Sequence, residues 1–165
     1  MKKLIILSLA TALLAAPALG YQQEDLNELN ATNECQSCDL SEAFLNVASL
    51  FKANLTETNL TKADLIGANL TKANLTKTNL TRSRLIGANL IEANLTSSNL
   101  TGANLYGAVM LGANLTGAVL RDAQIDFADF TNTKLCNTVM PDGQRIFQDC
   151  SRDIDKDDLM KARTR

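Results

Sequence analysis

The sequence has no histidine and no tryptophan, only two prolines, and aromatic residues at 4% of its 165 positions. Without imidazole it lacks the side chain that most often moves protons near neutral pH and most often holds a transition metal. No candidate nucleophile stands beside a base either, so the inventory counts against a typical enzyme and calls for no cofactor or metal. A core with so few rings cannot be organised around large aromatic anchors and must be filled with small and aliphatic side chains. Charge of one sign is missing too. Sixteen basic and 18 acidic residues leave a net charge of −2, too balanced for a nucleic-acid grip or a disordered tail. What remains is one ordinary-sized folded unit, 45% hydrophobic.

A long apolar run occurs once. Lys2 and Lys3 precede the stretch from Leu4 to Ala16, followed by Pro17 and Ala18-Leu19-Gly20. A short positive start, an apolar run and small residues at its end read as a secretory signal peptide over residues 1–20. Cleavage after Gly20 fits best, with cleavage after Ala18 as an alternative. The run falls short of the ~20 residues that span a bilayer. No later segment is apolar enough to cross, so no membrane span is expected after signal removal. Loss of Lys2 and Lys3 takes the formal charge from −2 to −4, 14 basic residues against 18 acidic.

Repetition covers most of the rest. All 21 positions taken every fifth residue from Leu40 to Met140 are apolar: seventeen leucines with Met110, Ile125, Phe130 and Met140. Two residues before each stands a small one, fourteen times alanine, otherwise Cys38, Thr58, Thr78, Ser83, Ser98, Thr133 or Thr138. Period five suits neither regular element. On a helix it spirals around the axis, and on a straight strand it alternates faces. It suits a chain that turns a corner every five residues, keeping the leucine and the small residue inside. Four corners close a square coil, which predicts a second period of twenty. Leu55-Thr56-Glu57-Thr58-Asn59-Leu60-Thr61 indeed recurs from Leu75 and again from Leu95, and Leu65-Ile66-Gly67-Ala68-Asn69-Leu70 recurs from Leu85. About five coils at strand spacing make a stack roughly 25 Å long.

The A(N/D)LXX pattern, unbroken from about Ser41 to Met140, resembles the pentapeptide-repeat family. The resemblance implies an all-β solenoid, a right-handed quadrilateral β-helix with type II or type IV turns at its corners. Most members of that family have no known biochemical activity; its best understood branch mimics DNA and shields type II topoisomerases. A DNA mimic needs a strongly acidic surface and a cytoplasmic address. Between Asp39 and Met140 eight acidic residues are balanced by eight basic ones, and the export signal points elsewhere, so that role is the least favoured.

Bare ladder edges invite aggregation, so short α-helical caps are expected at both ends. Residues 21–37 form the N-terminal cap, with a helix over Gln23 to Thr32 carrying Leu26 and Leu29 on one face. The β-helix occupies residues 38–140 and a C-terminal cap residues 141–165. There Pro141-Asp142-Gly143 turns the chain, Ile146 and Phe147 fold over the last coil, and Ser151 to Arg163 makes a short helix with early acids and late bases. A rigid rod holds its ends about 25 Å apart. Of the three possible pairings only Cys35–Cys38 with Cys136–Cys150 is then within disulfide reach. The repeat frame also directs Cys38 inward, where it can remain a buried thiol.

Cys35-Gln36-Ser37-Cys38 has the C-x-x-C form of redox and zinc motifs, but it leads into a solenoid and has no second half. It reads as a structural staple. Asn-Leu-Thr occurs repeatedly, at Asn54, Asn59, Asn69, Asn74, Asn94, Asn99 and Asn114 among others, and matches the glycosylation acceptor pattern. It is a by-product of the repeat, and a host of bacterial type is expected. Two surface columns stand out. Thr56, Thr76, Thr96 and Thr116, with Thr61, Thr81 and Thr101 on the next face, form the kind of array that orders water in ice-binding solenoids; threonine is also an ordinary strand-surface residue. Ile66, Ile86 and Tyr106 stack beside Gly67, Gly87 and Gly107, with Ile91 and Leu111 adjoining, as an exposed apolar patch suited to a protein partner or self-association. The expected function is an exported, non-enzymatic scaffold or protein-interaction module of a periplasm or thylakoid lumen, with a threonine-array surface binder as the alternative.

Overall fold

The computed structural model describes residues 20–148 and Cys150. The chain enters as a helix, α1 (Gln23–Thr32), with Glu24 and Asp25 in its first turn. Acids there suit the positive end of the helix dipole. Asn33 ends the helix in a left-handed conformation (φ 62°), its N–H returning to the Leu29 carbonyl at 2.8 Å. This is the αL stop that asparagine tolerates better than most residues. Leu29 is buried in the core, and Leu26 packs half-buried beside it. The helix therefore sits on the first coil, held also by Gln22 N–H to the Asp39 carbonyl (3.0 Å) and Asp39 N–H to Asp25 Oδ2 (2.6 Å).

From Glu34 the chain coils, four residues ahead of the expected start at residue 38. Parallel bridges pair residues twenty apart, from Glu34 with Asn54 through to Val119 with Val139. Each inward leucine from Leu40 to Leu120 donates to the coil that follows, as Leu80 N–H does to the Asn99 carbonyl at 2.7 Å. Each mid-face residue donates to the coil before, as Asn79 N–H does to the Thr58 carbonyl at 3.0 Å. At the corners a carbonyl accepts from the N–H three residues on, as Leu40 does from Ala43 at 3.1 Å, and the third residue of the turn has positive φ, 61° at Glu42. Positive φ at that place is what a type II turn requires. The period of five is therefore one short extended face plus one turn, and four of these return the chain to its own ladder.

The inside is paved as the periodicity predicts. Leucines from Leu55 to Leu105 and the alanines between them are inaccessible to solvent. Where a threonine or serine replaces the small residue, its hydroxyl is buried and partnered. Thr78 donates to the Leu55 carbonyl (2.7 Å), Thr138 to the Leu115 carbonyl (2.7 Å), and Ser83 to the Leu80 carbonyl (2.8 Å). The pattern loosens at the far end. Ile125, Phe130, Leu135 and Met140 keep the inward frame but are only half-buried, because no further coil lies beneath them among the described residues.

The C-terminal end departs from expectation in form. The fifth coil runs into a strand, β1 (Cys136–Val139), and the chain reverses through Pro141-Asp142-Gly143, Gly143 N–H returning to the Met140 carbonyl at 2.9 Å. It comes back as β2 (Arg145–Phe147), antiparallel to β1 with Val139 opposite Arg145. Ile146 and Phe147 thus pair along an edge, half-buried, instead of simply folding over the coil. The helix expected over Ser151 to Arg163 lies outside the described residues, as do all but Gly20 of the signal peptide expected over residues 1–20. Both cysteine pairs are bonded: Cys35 with Cys38 (Cα–Cα 5.4 Å) and Cys136 with Cys150 (Cα–Cα 4.8 Å). Cys38 is therefore not a buried thiol.

Candidate interaction face

The square coil sorts its outward side chains into columns, because residues twenty apart stack directly. One corner carries Asn46-Val47, Ile66-Gly67, Ile86-Gly87, Tyr106-Gly107 and Asp126-Phe127. The next corner carries Phe51-Lys52, Thr71-Lys72, Ile91-Glu92, Leu111-Gly112 and Thr131-Asn132. Between them the outward mid-face residues are Ser49, Asn69, Asn89, Val109 and Asp129. The five apolar residues singled out from sequence all lie on this face or its edge. Tyr106 and Leu111 are exposed, and Ile66, Ile86 and Ile91 are half-buried.

The structure adds members that the twenty-residue echo did not flag. Val47 is 75% exposed and Phe127 82%, so the two most open apolar side chains of the face stand at its two ends, with Phe51 (45%) beside the first. Phe44, also exposed, lies around the corner. Val47 Cγ1 lies 3.3 Å from where a Cβ on Gly67 would sit, and the Tyr106 and Phe127 rings meet edge-on with centroids 5.2 Å apart. Lys52 Nζ lies 5.3 Å from the Phe51 ring centroid. Val47 and Phe127 occupy the positive-φ corner position, at φ 51° and 59°, where the rows between have glycine. A β-branched or bulky residue is a conformational outlier there. The corner does not need either side chain to fold, and neither is buried by the chain itself.

The other surfaces satisfy themselves. Ion pairs tie coil to coil there: Lys62 to Glu42 (2.7 Å), Lys77 to Glu57 (2.9 Å) and Arg84 to Asp64 (2.9 Å); Lys72 and Glu92 (3.4 Å) make the corresponding pair on the candidate face itself. The threonine columns are half-buried, and their hydroxyls turn back onto the repeat. Thr56, Thr76, Thr96 and Thr116 each donate to the Oδ1 of the asparagine two residues before, at 2.6 to 2.7 Å. Thr61, Thr81 and Thr101 do the same. Those donors are committed inside the protein, which leaves a water-ordering array with acceptors only. The same Oδ1 atoms accept the threonine N–H, so the asparagine of each Asn-Leu-Thr is held in an Asx turn. On the apolar face Asp129 plays that part for Thr131, and those two hydrogen bonds, the hydroxyl first, hold its carboxyl below the usual range.

No catalytic grouping accompanies these features among the described residues. Asp25, Glu28 and Cys38 bring their ligand atoms within 4.8 Å of one another. The Cys38 sulfur, however, is bonded to Cys35, and Asp25 accepts from Asp39. Among the described residues no helix is long and apolar enough to cross a membrane.

The likeness to known proteins is to this repeat. A family profile described as pentapeptide repeats, in eight copies, matches residues 34–65, 63–102 and 98–137. No curated protein matches. Among solved structures, a pentapeptide repeat protein (Rfr23) from the cyanobacterium Cyanothece 51142 is 31% identical, covering 71% of this chain and 97% of its own, with a TM-score of 0.59. A pentapeptide repeat protein from the Arabidopsis thaliana thylakoid lumen is 23% identical over 78% of this chain and 76% of its own (TM-score 0.34). QnrB1, a plasmid-mediated fluoroquinolone resistance protein, is 22% identical over 63% of this chain and 60% of its own (TM-score 0.29). With the profile spanning most of the coiled region and the square five-residue geometry in place, the chain belongs to the pentapeptide-repeat family, whose fold is a right-handed β-helix solenoid.

Proposed function

We propose that the protein is an exported, non-enzymatic scaffold or interaction module that meets a protein partner through the face bearing Ile66, Ile86, Tyr106, Ile91 and Leu111, extended by Val47, Phe51, Val109 and Phe127. The observation that carries this reading is the pair Val47 and Phe127. Two bulky apolar residues stand open to solvent in a backbone conformation that favours glycine, at either end of an otherwise flat apolar column. Export to a periplasm or thylakoid lumen is supported by the Lys2-Lys3 start with its apolar run and by two disulfides, which persist in oxidising compartments. The helix α1 and the hairpin with its Cys136–Cys150 bond serve as the two caps.

The test is cross-linking in the compartment where the protein resides, comparing the natural sequence with Ile86→Glu combined with Tyr106→Lys. The double variant is expected to lose the captured species while keeping its far-ultraviolet spectrum. An unchanged set of cross-linked products and an unchanged oligomeric state would remove the face from consideration.

A further inference from the structure

Resting on the reading of this face as a contact surface, we infer that its occupant is a second copy of the same chain. The two copies pack antiparallel, about a two-fold axis through the row of Ile86, Asn89 and Ile91. Four features of the face point there. The first is spacing. Its rows repeat at the coil-to-coil distance, about 4.8 Å, whereas an α-helix laid along it would repeat at about 5.4 Å and drift by roughly 2.4 Å over four steps. Another copy of the same ladder keeps register over all five rows.

The second feature is size. An antiparallel two-fold through the middle row sets row one against row five and row two against row four. Val47 then meets Phe127, Ile66 meets Tyr106, Asn69 meets Val109, Phe51 meets Thr131 and Thr71 meets Leu111. In most of these pairs a large side chain faces a smaller one. The middle row meets itself as Ile86 on Ile86, Ile91 on Ile91 and the Asn89 amide on its own image, donor to acceptor. Gly67, Gly87 and Gly107 keep the column low enough for the two surfaces to approach.

The third feature is charge. The first two rows carry Lys52 and Lys72, and the fifth carries Asp126 and Asp129. A parallel pairing stacks like on like; the antiparallel one brings the basic end of each copy to the acidic end of the other. Glu92 falls near the axis together with its own Lys72, which lies 3.4 Å away. The fourth is the siting of the strained residues. Val47 and Phe127 occupy the two ends of one column, and the same operation brings them together. Five rows make a face only about 24 Å tall. With about three extended residues to a side it is about 10 Å wide, so its area of roughly 240 Å² falls short of the roughly 800 Å² per partner of a standard interface, which places the dimer in the weak, concentration-dependent class.

Sedimentation equilibrium of the exported chain, disulfides intact, is expected to show a mass rising from one chain toward two between about 10 μM and 1 mM. Lys52→Glu alone and Asp129→Lys alone should each weaken association about five- to tenfold, and the two together in one chain should restore it to within about twofold. Positions 52 and 129 lie four rows, about 19 Å, apart on one copy, so rescue has to act across the pair. Glutamate already sits at the equivalent corner place, at Glu57 and Glu92 with φ 60° and 55°, so Lys52→Glu keeps the turn. Ile86→Glu sets two carboxylates on the axis and should leave a single-chain mass at every concentration with an unchanged far-ultraviolet spectrum. A single-chain mass for the natural sequence at 1 mM overturns the inference, as does a combined charge exchange weaker than either single one. If the mass stays single while Ile86→Glu with Tyr106→Lys still abolishes captured proteins, the contact face stands and self-pairing falls. If neither changes, both fall.

Discussion

Leu80 and Lys77, three positions apart in the middle of the stack, show how sharply the repeat divides its residues. Leu80 is wholly buried, whereas Lys77 is 63% exposed and paired only with exposed Glu57. Leu80→Lys strands a charge among leucines and should destabilise the middle of the stack by more than about 4 kcal/mol, seen as an unfolding midpoint shifted to much lower denaturant. Lys77→Ala should change it by no more than about 0.5 kcal/mol, since exposed ion pairs contribute little. Thr78 lies between these extremes. Its inward place can be read from the frame, but its partner, the Leu55 carbonyl, cannot, because that contact exists only once the previous coil is stacked above it. Thr78→Val leaves that contact unmade and should cost about 1–3 kcal/mol by the same titration. The outward apolar residues were legible to different degrees. Ile66, Ile86 and Tyr106 echo at twenty, while Val47 and Phe127 sit one place later in their turns and escape any search for identical motifs.

At the scale of elements, the range of α1 was legible, since Gln23 to Thr32 is rich in helix formers, whereas the stop at Asn33 shows itself only in the structure, in its left-handed backbone. The hairpin was not. Arg145-Ile146-Phe147 is too short to show a period, and what makes it a strand is the free side of β1, a tertiary circumstance. Rod geometry excluded every cysteine connection between the two ends, but whether Cys35 and Cys38 are bonded was left open by the inward frame of Cys38 and is decided by the structure. The Cys136–Cys150 bond closes a loop with a sequence separation of 14 around that hairpin. Cys136→Ser should therefore loosen the end without touching the middle, since each coil leans only on its neighbours. Amide hydrogen exchange is the measurement. Residues 135–147 are expected to exchange at least tenfold faster, while Leu75 to Leu100 keep their protection. Faster exchange throughout would mean that the coils unfold as one body and that the one-dimensional picture is wrong.

At the scale of the molecule, the ladder makes coils interchangeable. Deleting residues 75–94 joins Asn74 to Leu95 and recreates the Asn-Leu-Thr junction that stood there before. The shortened chain should fold with the strand-type spectrum of the parent, a lower melting temperature from the lost neighbour contacts, and a scattering profile shorter along one axis by about 4.8 Å. A collapsed or helical product would show that the coils are not equivalent units. The architecture was almost wholly written in the sequence because a period of five with an overtone of twenty admits few closed paths. The partner was not, because the outward positions are free of the constraint that makes the inward ones predictable.

That freedom has a genetic corollary. The interior counts in fives and the exterior in twenties, three nucleotides to the residue. Replication slippage of fifteen nucleotides is therefore invisible to the buried leucines, yet it rotates everything downstream by a quarter turn and scatters the columns around the shaft. Slippage of sixty restores them. Lineages in which a particular side must stay whole should vary in length by whole coils, and those in which only the shaft matters should vary by single pentads.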